Sequence, residues 1–305
     1  MLTFARPNRP HDPPIPVPFV AGPHAAGPVR GGLTIAGAIG NFGKTIRMRR
    51  LTEAVTGRFL VVPMDHGITV GLIPGLHDLS ARIGEADRGG ATAVVLHKGE
   101  VRRFVEASPR EAGLIVHMSA SVSHAPDPDQ KVLLATVDEA LALGADAVSV
   151  HINIGAPTTT EMVADCATVA HDCHMLGIPL LVMIYPRGPD IHDPYDPDLV
   201  AHCARAAEEA GADIVKTNYT GDVDSFQEVT RAVAVPVITA GGPPTDDPLA
   251  PLTVAAGTIE AGGAGVACGR NVFSHEDPEA MTRALASVIF DGTSPEEAAR
   301  EHLGG

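Results

Sequence analysis

The sequence predicts an α/β fold, a single (β/α)8 TIM barrel with a Pro/Gly-rich N-terminal extension. Three observations carry that expectation. Eight short Val/Ile/Leu-rich runs follow residue 58, mostly without polar alternation, as expected of parallel strands buried on both faces. Amphipathic, helix-like stretches fill most of the gaps between them. A short Gly-Ala motif recurs at residues 90–94, 144–148 and 211–215 and, in shortened form, at 263–266. Each copy closes a helix with a glycine free to adopt positive φ, then opens the second, fourth, sixth or eighth strand. An open doubly wound sheet is the alternative. It would want a glycine-rich loop after the first strand, where the chain reads Pro63-Met64-Asp65-His66-Gly67.

Taken in order, residues 1–40 are rich in Pro, Ala and Gly without any period and are expected to be a flexible extension; residues 41–305 form the barrel domain. Residues 42–55 read as a helix that could cap the bottom of the barrel. Strands are expected over 59–65, 93–98, 114–119, 147–153, 179–185, 213–217, 236–241 and 265–269. Helices are expected over 78–89, 136–143, 159–176, 197–210, 223–233, 250–262 and 276–289, the faintest helical pattern lying between the second and third strands.

Composition narrows the function. The formal net charge of −15 argues against nucleic acid or an anionic membrane as partner. No apolar run of about 20 residues offers a span, and prolines interrupt the N-terminus where a secretory signal would need a continuous apolar stretch. The four cysteines, Cys166, Cys173, Cys203 and Cys268, form no CxxC pair and read as small buried thiols of a reducing, cytoplasmic setting.

In such barrels chemistry gathers at the C-terminal ends of strands, so the polar residues there are the candidates. Lys216 ends the apolar run Ile214-Val215. A lysine in a barrel lumen is partly desolvated, which favours a free amine able to attack a ketone and form an electron-withdrawing iminium. A structural ion pair or a phosphate contact is the competing reading. Tyr185, ending the neighbouring strand, could shuttle protons, or could be a buried phenol satisfied by one hydrogen bond. Asp65 could exchange a proton with a substrate hydroxyl, or simply pair with a cation. Gly241, Gly242, Gly269 and Arg270 follow the seventh and eighth strands, where barrels commonly hold phosphate on backbone amides. His66, His97, His117 and His151 stand near strand ends. With Asp65 they could bind zinc, but their non-local spacing specifies little, and a polar mouth or substrate contacts, with no metal, is the preferred reading for His66 and His151.

Seven ordered motifs resemble the archaeal-type class I (Schiff-base) aldolase family. They are Val61-Val62-Pro63-Met64-Asp65-His66-Gly67, Leu96-His97-Lys98-Gly99, the run 144–153, Met183-Ile184-Tyr185-Pro186-Arg187-Gly188, the run 212–221, Ala240-Gly241-Gly242-Pro243 and the run 265–273. The likeness spans residues 42–303 and is strongest, around Tyr185 and Lys216, to two branches. These are the 2-amino-3,7-dideoxy-D-threo-hept-6-ulosonate synthases and the bacterial 2-amino-4,5-dihydroxy-6-oxo-7-(phosphonooxy)heptanoate synthases. Segment 118–126 departs from the family's Gly-rich stretch. The resemblance implies a cofactor-free lyase in which Lys216 forms the Schiff base, Tyr185 is the acid/base and Asp65 acts on the aldol hydroxyl. It places Gly241, Gly242, Gly269 and Arg270 on the phosphate loops. The implied substrates are a phosphorylated ketose or triose and an aldehyde, with dihydroxyacetone phosphate and L-aspartate 4-semialdehyde first. Transaldolase-type transfer, fructose-1,6-bisphosphate cleavage and a metal-dependent lyase are the alternatives. A homo-oligomer is implied by analogy.

Overall fold

A computed structural model of the chain describes residues 41–107 and 109–304; the expected extension over 1–40 lies outside the described residues. Eight parallel strands close a barrel: β1 (Phe59–Pro63), β2 (Ala93–His97), β3 (Gly113–His117), β4 (Ala147–Ile154), β5 (Leu180–Pro186), β6 (Ile214–Thr217), β7 (Val237–Ala240) and β8 (Gly265–Ala267). Each pairs with its neighbours in the chain. Closure comes from β8 on β1, in the register Phe59 to Gly265 and Val61 to Ala267.

Alternation exists, but both faces are apolar. Phe59, Val61, Val95, Ile115, Leu181, Ile214 and Ile238 fill the barrel interior, while Leu60, Val62, Val94, Leu96, Val116 and Val148 face the surrounding helices. That is why the sequence shows continuous apolar runs rather than a period of two. Burying each large aliphatic side chain contributes about 1.5–3 kcal/mol, so the two concentric layers supply the main driving force.

The floor of the barrel is sealed from the N-terminal side. Helix Phe42–Met48 starts at Asn41, whose side chain accepts from the Lys44 amide. The helix stops well short of residue 55, because Met48 and Leu51 drop into the barrel floor. Beyond them the Glu53 carboxylate accepts from the Val55 and Thr56 amides at 2.9 and 2.7 Å, and Gly57 turns the chain into β1 at φ 68°. Lys44 Nζ donates to Asp213 at 2.6 Å, and the same Asp213 oxygen accepts from the Leu180 amide at 2.8 Å. Asp146 repeats the device, accepting from Arg50 at 3.2 Å and from the Leu114 amide at 3.1 Å. The two aspartates of the recurring motif therefore stitch the starts of β4 and β6 to the preceding strands and to the floor.

In that motif, Gly90, Gly144 and Gly211 take positive φ as expected, but in the fourth copy the positive φ falls on Gly262 (86°), one residue earlier than the sequence pattern placed it. Helix Val101–Ala107 fills the gap between β2 and β3. An unanticipated antiparallel ribbon, Ser119–Ala120 with Val132–Leu133, folds over the mouth after β3.

Candidate active site

At the C-terminal ends of the strands a cavity of about 380 Å³ opens, and all nine residues expected in the site line it: Asp65, His66, His151, Tyr185, Lys216, Gly241, Gly242, Gly269 and Arg270. The strand ends bring them together. Lys216 faces inward on β6, in register with Met183 on β5 and Ile238 on β7, and is 7% exposed. Its amine has no hydrogen-bond acceptor or carboxylate partner among the described residues. Tyr185, on the next strand, is packed edge-on by His151 with ring centroids 5.1 Å apart, and the Arg187 guanidinium lies over its ring at 5.8 Å.

Asp65 follows β1, with His117 Nε2 at 3.6 Å and His66 Nδ1 at 3.8 Å from its two oxygens. Burial pushes the Asp65 carboxyl upward, but the fields of His117, His66, Lys216 and His97 outweigh it and hold it well below the usual carboxylate range. His117 is lowered too, but by burial itself. Burial takes it down to about 4, with Asp65 opposing and His97 and Lys216 assisting. His66 is lowered chiefly by burial, and His151 is lowered well below the ordinary histidine range by burial, with Lys131 and His117 adding to it. Near neutral pH the site therefore holds a carboxylate anion among uncharged imidazoles.

The histidine rings are tied to protein groups. Nδ1 of His97 lies 3.1 Å from the His117 carbonyl, Nδ1 of His117 lies 2.8 Å from Ser149 Oγ, and Nε2 of His151 lies 2.9 Å from Asn153 Oδ1. Among the described residues no group of three or more His, Cys, Asp or Glu is arranged to hold a metal ion. The four thiols are buried as expected, each pushed up to about 12, which leaves them inert.

The loops expected to hold phosphate follow β7 and β8, with one correction. Gly241 does not offer a bare amide, because its N–H donates to the Ala267 carbonyl at 3.1 Å. It serves by its smallness: a Cβ there would come within 2.6 Å of Cys268 Sγ. Gly242, at φ 74°, turns the loop, and Arg270 Nη2 lies 3.4 Å from the Gly242 carbonyl. Asn271, to which the sequence assigned no role, clamps this loop, donating to the Gly241 and Pro243 carbonyls and accepting from the Thr245 amide. His151 lines the same cavity but stands on β4, across the barrel from β8 and so away from these loops.

Lys131 was also missed. The ribbon swings it into the mouth, where it is 9% exposed and donates to Ser121 Oγ at 2.5 Å. Its ammonium is destabilised by burial first and by the charge of Arg187 second. No strand-end position marked residue 131.

An inward amine, a phenol and a carboxylate around one cavity, with Gly242, Gly269 and Arg270 at one end, form an arrangement suited to carbonyl chemistry on an anionic substrate. Comparison with known proteins agrees. Over 250 residues the chain is 44% identical to a 2-amino-4,5-dihydroxy-6-oxo-7-(phosphonooxy)heptanoate synthase of Streptomyces griseus, covering 82% of this chain and 91% of that protein. Over 256 residues it is 44% identical to a 2-amino-3,7-dideoxy-D-threo-hept-6-ulosonate synthase of Halobacterium salinarum, covering 84% and 95%. A Schiff-base-forming fructose-1,6-bisphosphate aldolase of solved structure superposes with a TM-score of 0.73 at 31% identity, covering 81% of this chain and 99% of that one. Residues 59–275 match the family model described as DeoC/LacD family aldolase, and the chain belongs to that family of carbon–carbon lyases.

Proposed function

We propose that the protein joins dihydroxyacetone phosphate to L-aspartate 4-semialdehyde through a Schiff base on Lys216, using no metal or organic cofactor, as a cytoplasmic homo-oligomer. The supporting observation is the inward Lys216 amine, which has no acceptor among the described residues, set among Tyr185, Asp65, Gly242, Gly269 and Arg270.

The donor phosphate rests on Gly242, Gly269 and Arg270. Lys216 adds to the ketone, and Tyr185 passes the proton that turns the carbinolamine hydroxyl into departing water. The phenolate so formed removes a carbon-bound proton, which restores the phenol and gives the enamine, and the enamine attacks the aldehyde carbon. The new alkoxide takes its proton from Asp65, which is an anion at rest and so must first have accepted one. In cleavage the same carboxylate removes the hydroxyl proton. Water then hydrolyses the iminium, freeing product and amine.

Sodium borohydride with dihydroxyacetone phosphate is expected to add the reduced donor to the Lys216 peptide, and Lys216→Arg to abolish both labelling and turnover. Full turnover in Lys216→Arg would overturn the scheme. Acceptor aldehydes assayed singly separate this condensation from fructose-1,6-bisphosphate cleavage and from transaldolase-type transfer.

A further inference from the structure

We propose that Lys131 and Arg187 form a second anion subsite, which holds the carboxylate of the acceptor aldehyde and selects it over uncharged aldehydes. The proposal rests on the aldol reading above and adds the acceptor's half of the site.

Two cations line one wall of the cavity without a counter-charge. Lys131 is nearly buried, and among the described residues the one hydrogen bond of its amine is to a neutral hydroxyl, Ser121 Oγ at 2.5 Å. Among the described residues no carboxylate oxygen comes within 4.0 Å of its amine or of the Arg187 guanidinium. The carboxylates whose fields reach Lys131, those of Asp129, Asp65 and Asp127, act from beyond that range. Burying an ammonium against a guanidinium is unfavourable unless an anion joins them. Arg187 is exposed at the rim, with its guanidinium over the Tyr185 ring at 5.8 Å, so a planar, two-pronged donor lines the same cavity.

Position decides which anion this is. The donor's phosphate loops follow β7 and β8. Lys131 comes from the ribbon after β3, and Arg187 immediately follows β5, so the pair flanks β4 on the far side of the barrel. Lys216 on β6 lies between the two ends. A three-carbon donor with its phosphate on β7 and β8 and its carbonyl carbon on Lys216 directs its third carbon away from the phosphate. The acceptor carbonyl must meet that carbon, and the acceptor's tail then runs toward β3–β5. An aldehyde with a carboxylate on that tail completes the charge of both ends of the cavity. The hydroxyls of Ser119 and Ser121 line the same wall.

The test compares L-aspartate 4-semialdehyde, glyceraldehyde 3-phosphate and propanal as acceptors in wild type, Lys131→Met, Lys131→Arg and Arg187→Met. Borohydride trapping of dihydroxyacetone phosphate on Lys216 runs in parallel. Trapping reports the donor half alone, so its absence in the wild type would overturn the aldol reading rather than this subsite. The expected result in Lys131→Met is intact trapping, a KM for the semialdehyde raised about 30-fold with kcat little changed, and an equal fall in the ratio of kcat/KM for semialdehyde over propanal. Lys131→Arg, which keeps the charge, is expected to recover most of that ratio, and Arg187→Met to behave as Lys131→Met does. An unchanged KM for the semialdehyde in both Met variants overturns the proposal. So does a loss of the same size on propanal, which would mark Lys131 as structural. A wild type that prefers glyceraldehyde 3-phosphate, with the Lys131-dependent KM on that acceptor, overturns the carboxylate assignment.

Discussion

Asp65 sits where burial alone would neutralise a carboxyl group, yet its neighbours keep it ionised. His117 reaches it at 3.6 Å while being held neutral near neutral pH, down at about 4. Both groups thus lose their protons below the working range, which leaves an anionic carboxylate with a neutral imidazole beside it. Tyr185 does different work in the proposed cycle, at the carbinolamine hydroxyl rather than at the aldol hydroxyl. The two roles separate experimentally. Asp65→Asn is expected to keep borohydride trapping of the donor on Lys216 while lowering the rate of carbon–carbon bond formation by about 10²–10⁴-fold, the usual span for losing an acid/base group. Tyr185→Phe is expected to slow trapping itself, because carbinolamine dehydration precedes reduction. Rapid-quench trapping measures both, and a fast-trapping Tyr185→Phe would remove the phenol from that step.

Elements made of apolar runs were legible, and those made by tertiary contacts were not. Strands β1 to β8 announced themselves because both faces are apolar, and helix Thr159–Leu176 fell on the span its pattern indicated. Lys216, Tyr185 and Asp65 could be picked out because the barrel places chemistry at strand ends, a rule that needs only strand order. Lys131 obeys no such rule; it reaches the mouth because Ser119–Ala120 pairs with Val132–Leu133, a two-residue ladder too short to show any period. Helix Pro295–His302 did leave a signal that went unread: Ser294, then Pro295 and, three residues after the serine, Glu297, whose amide donates to the Ser294 hydroxyl at 3.3 Å. The floor shows the opposite balance, with helix Phe42–Met48 held by Lys44 on Asp213. Since Asp213 also accepts from the Leu180 amide, Asp213→Ala strands a buried ammonium and a strand-end N–H together, at an expected cost of about 2–3 kcal/mol. Lys44→Met removes the ammonium and is expected to cost less, and the double variant less than the sum. Urea unfolding of the four proteins checks this, and strict additivity would mean the two side chains do not interact in solution.

For the molecule as a whole, the same burial that prepares the cavity should make the fold sensitive to acid. His66, His117 and His151 all have affinities for protons lowered in the folded state, burial being the largest cause for each. When the chain unfolds they return to water and to the ordinary value of about 6.5. Below that pH the unfolded chain binds protons that the folded chain refuses, so stability falls as pH drops from 6.5 toward 4. For His117, the change from 6.5 to about 4 corresponds to roughly 3 kcal/mol by pH 4. Asp65 works in the same direction at lower pH: its depressed folded value means stability present above the unfolded carboxyl range and lost beneath it. Thermal unfolding from pH 8 to 4.5 is therefore expected to show a flat Tm down to about pH 6.5 and a steepening decline below it. His117→Gln, which leaves a side chain able to hydrogen-bond but not to titrate, is expected to flatten part of that decline. A His117→Gln profile parallel to wild type down to pH 4.5 would place the acid-sensitive groups elsewhere and remove the neutral imidazole from beside Asp65.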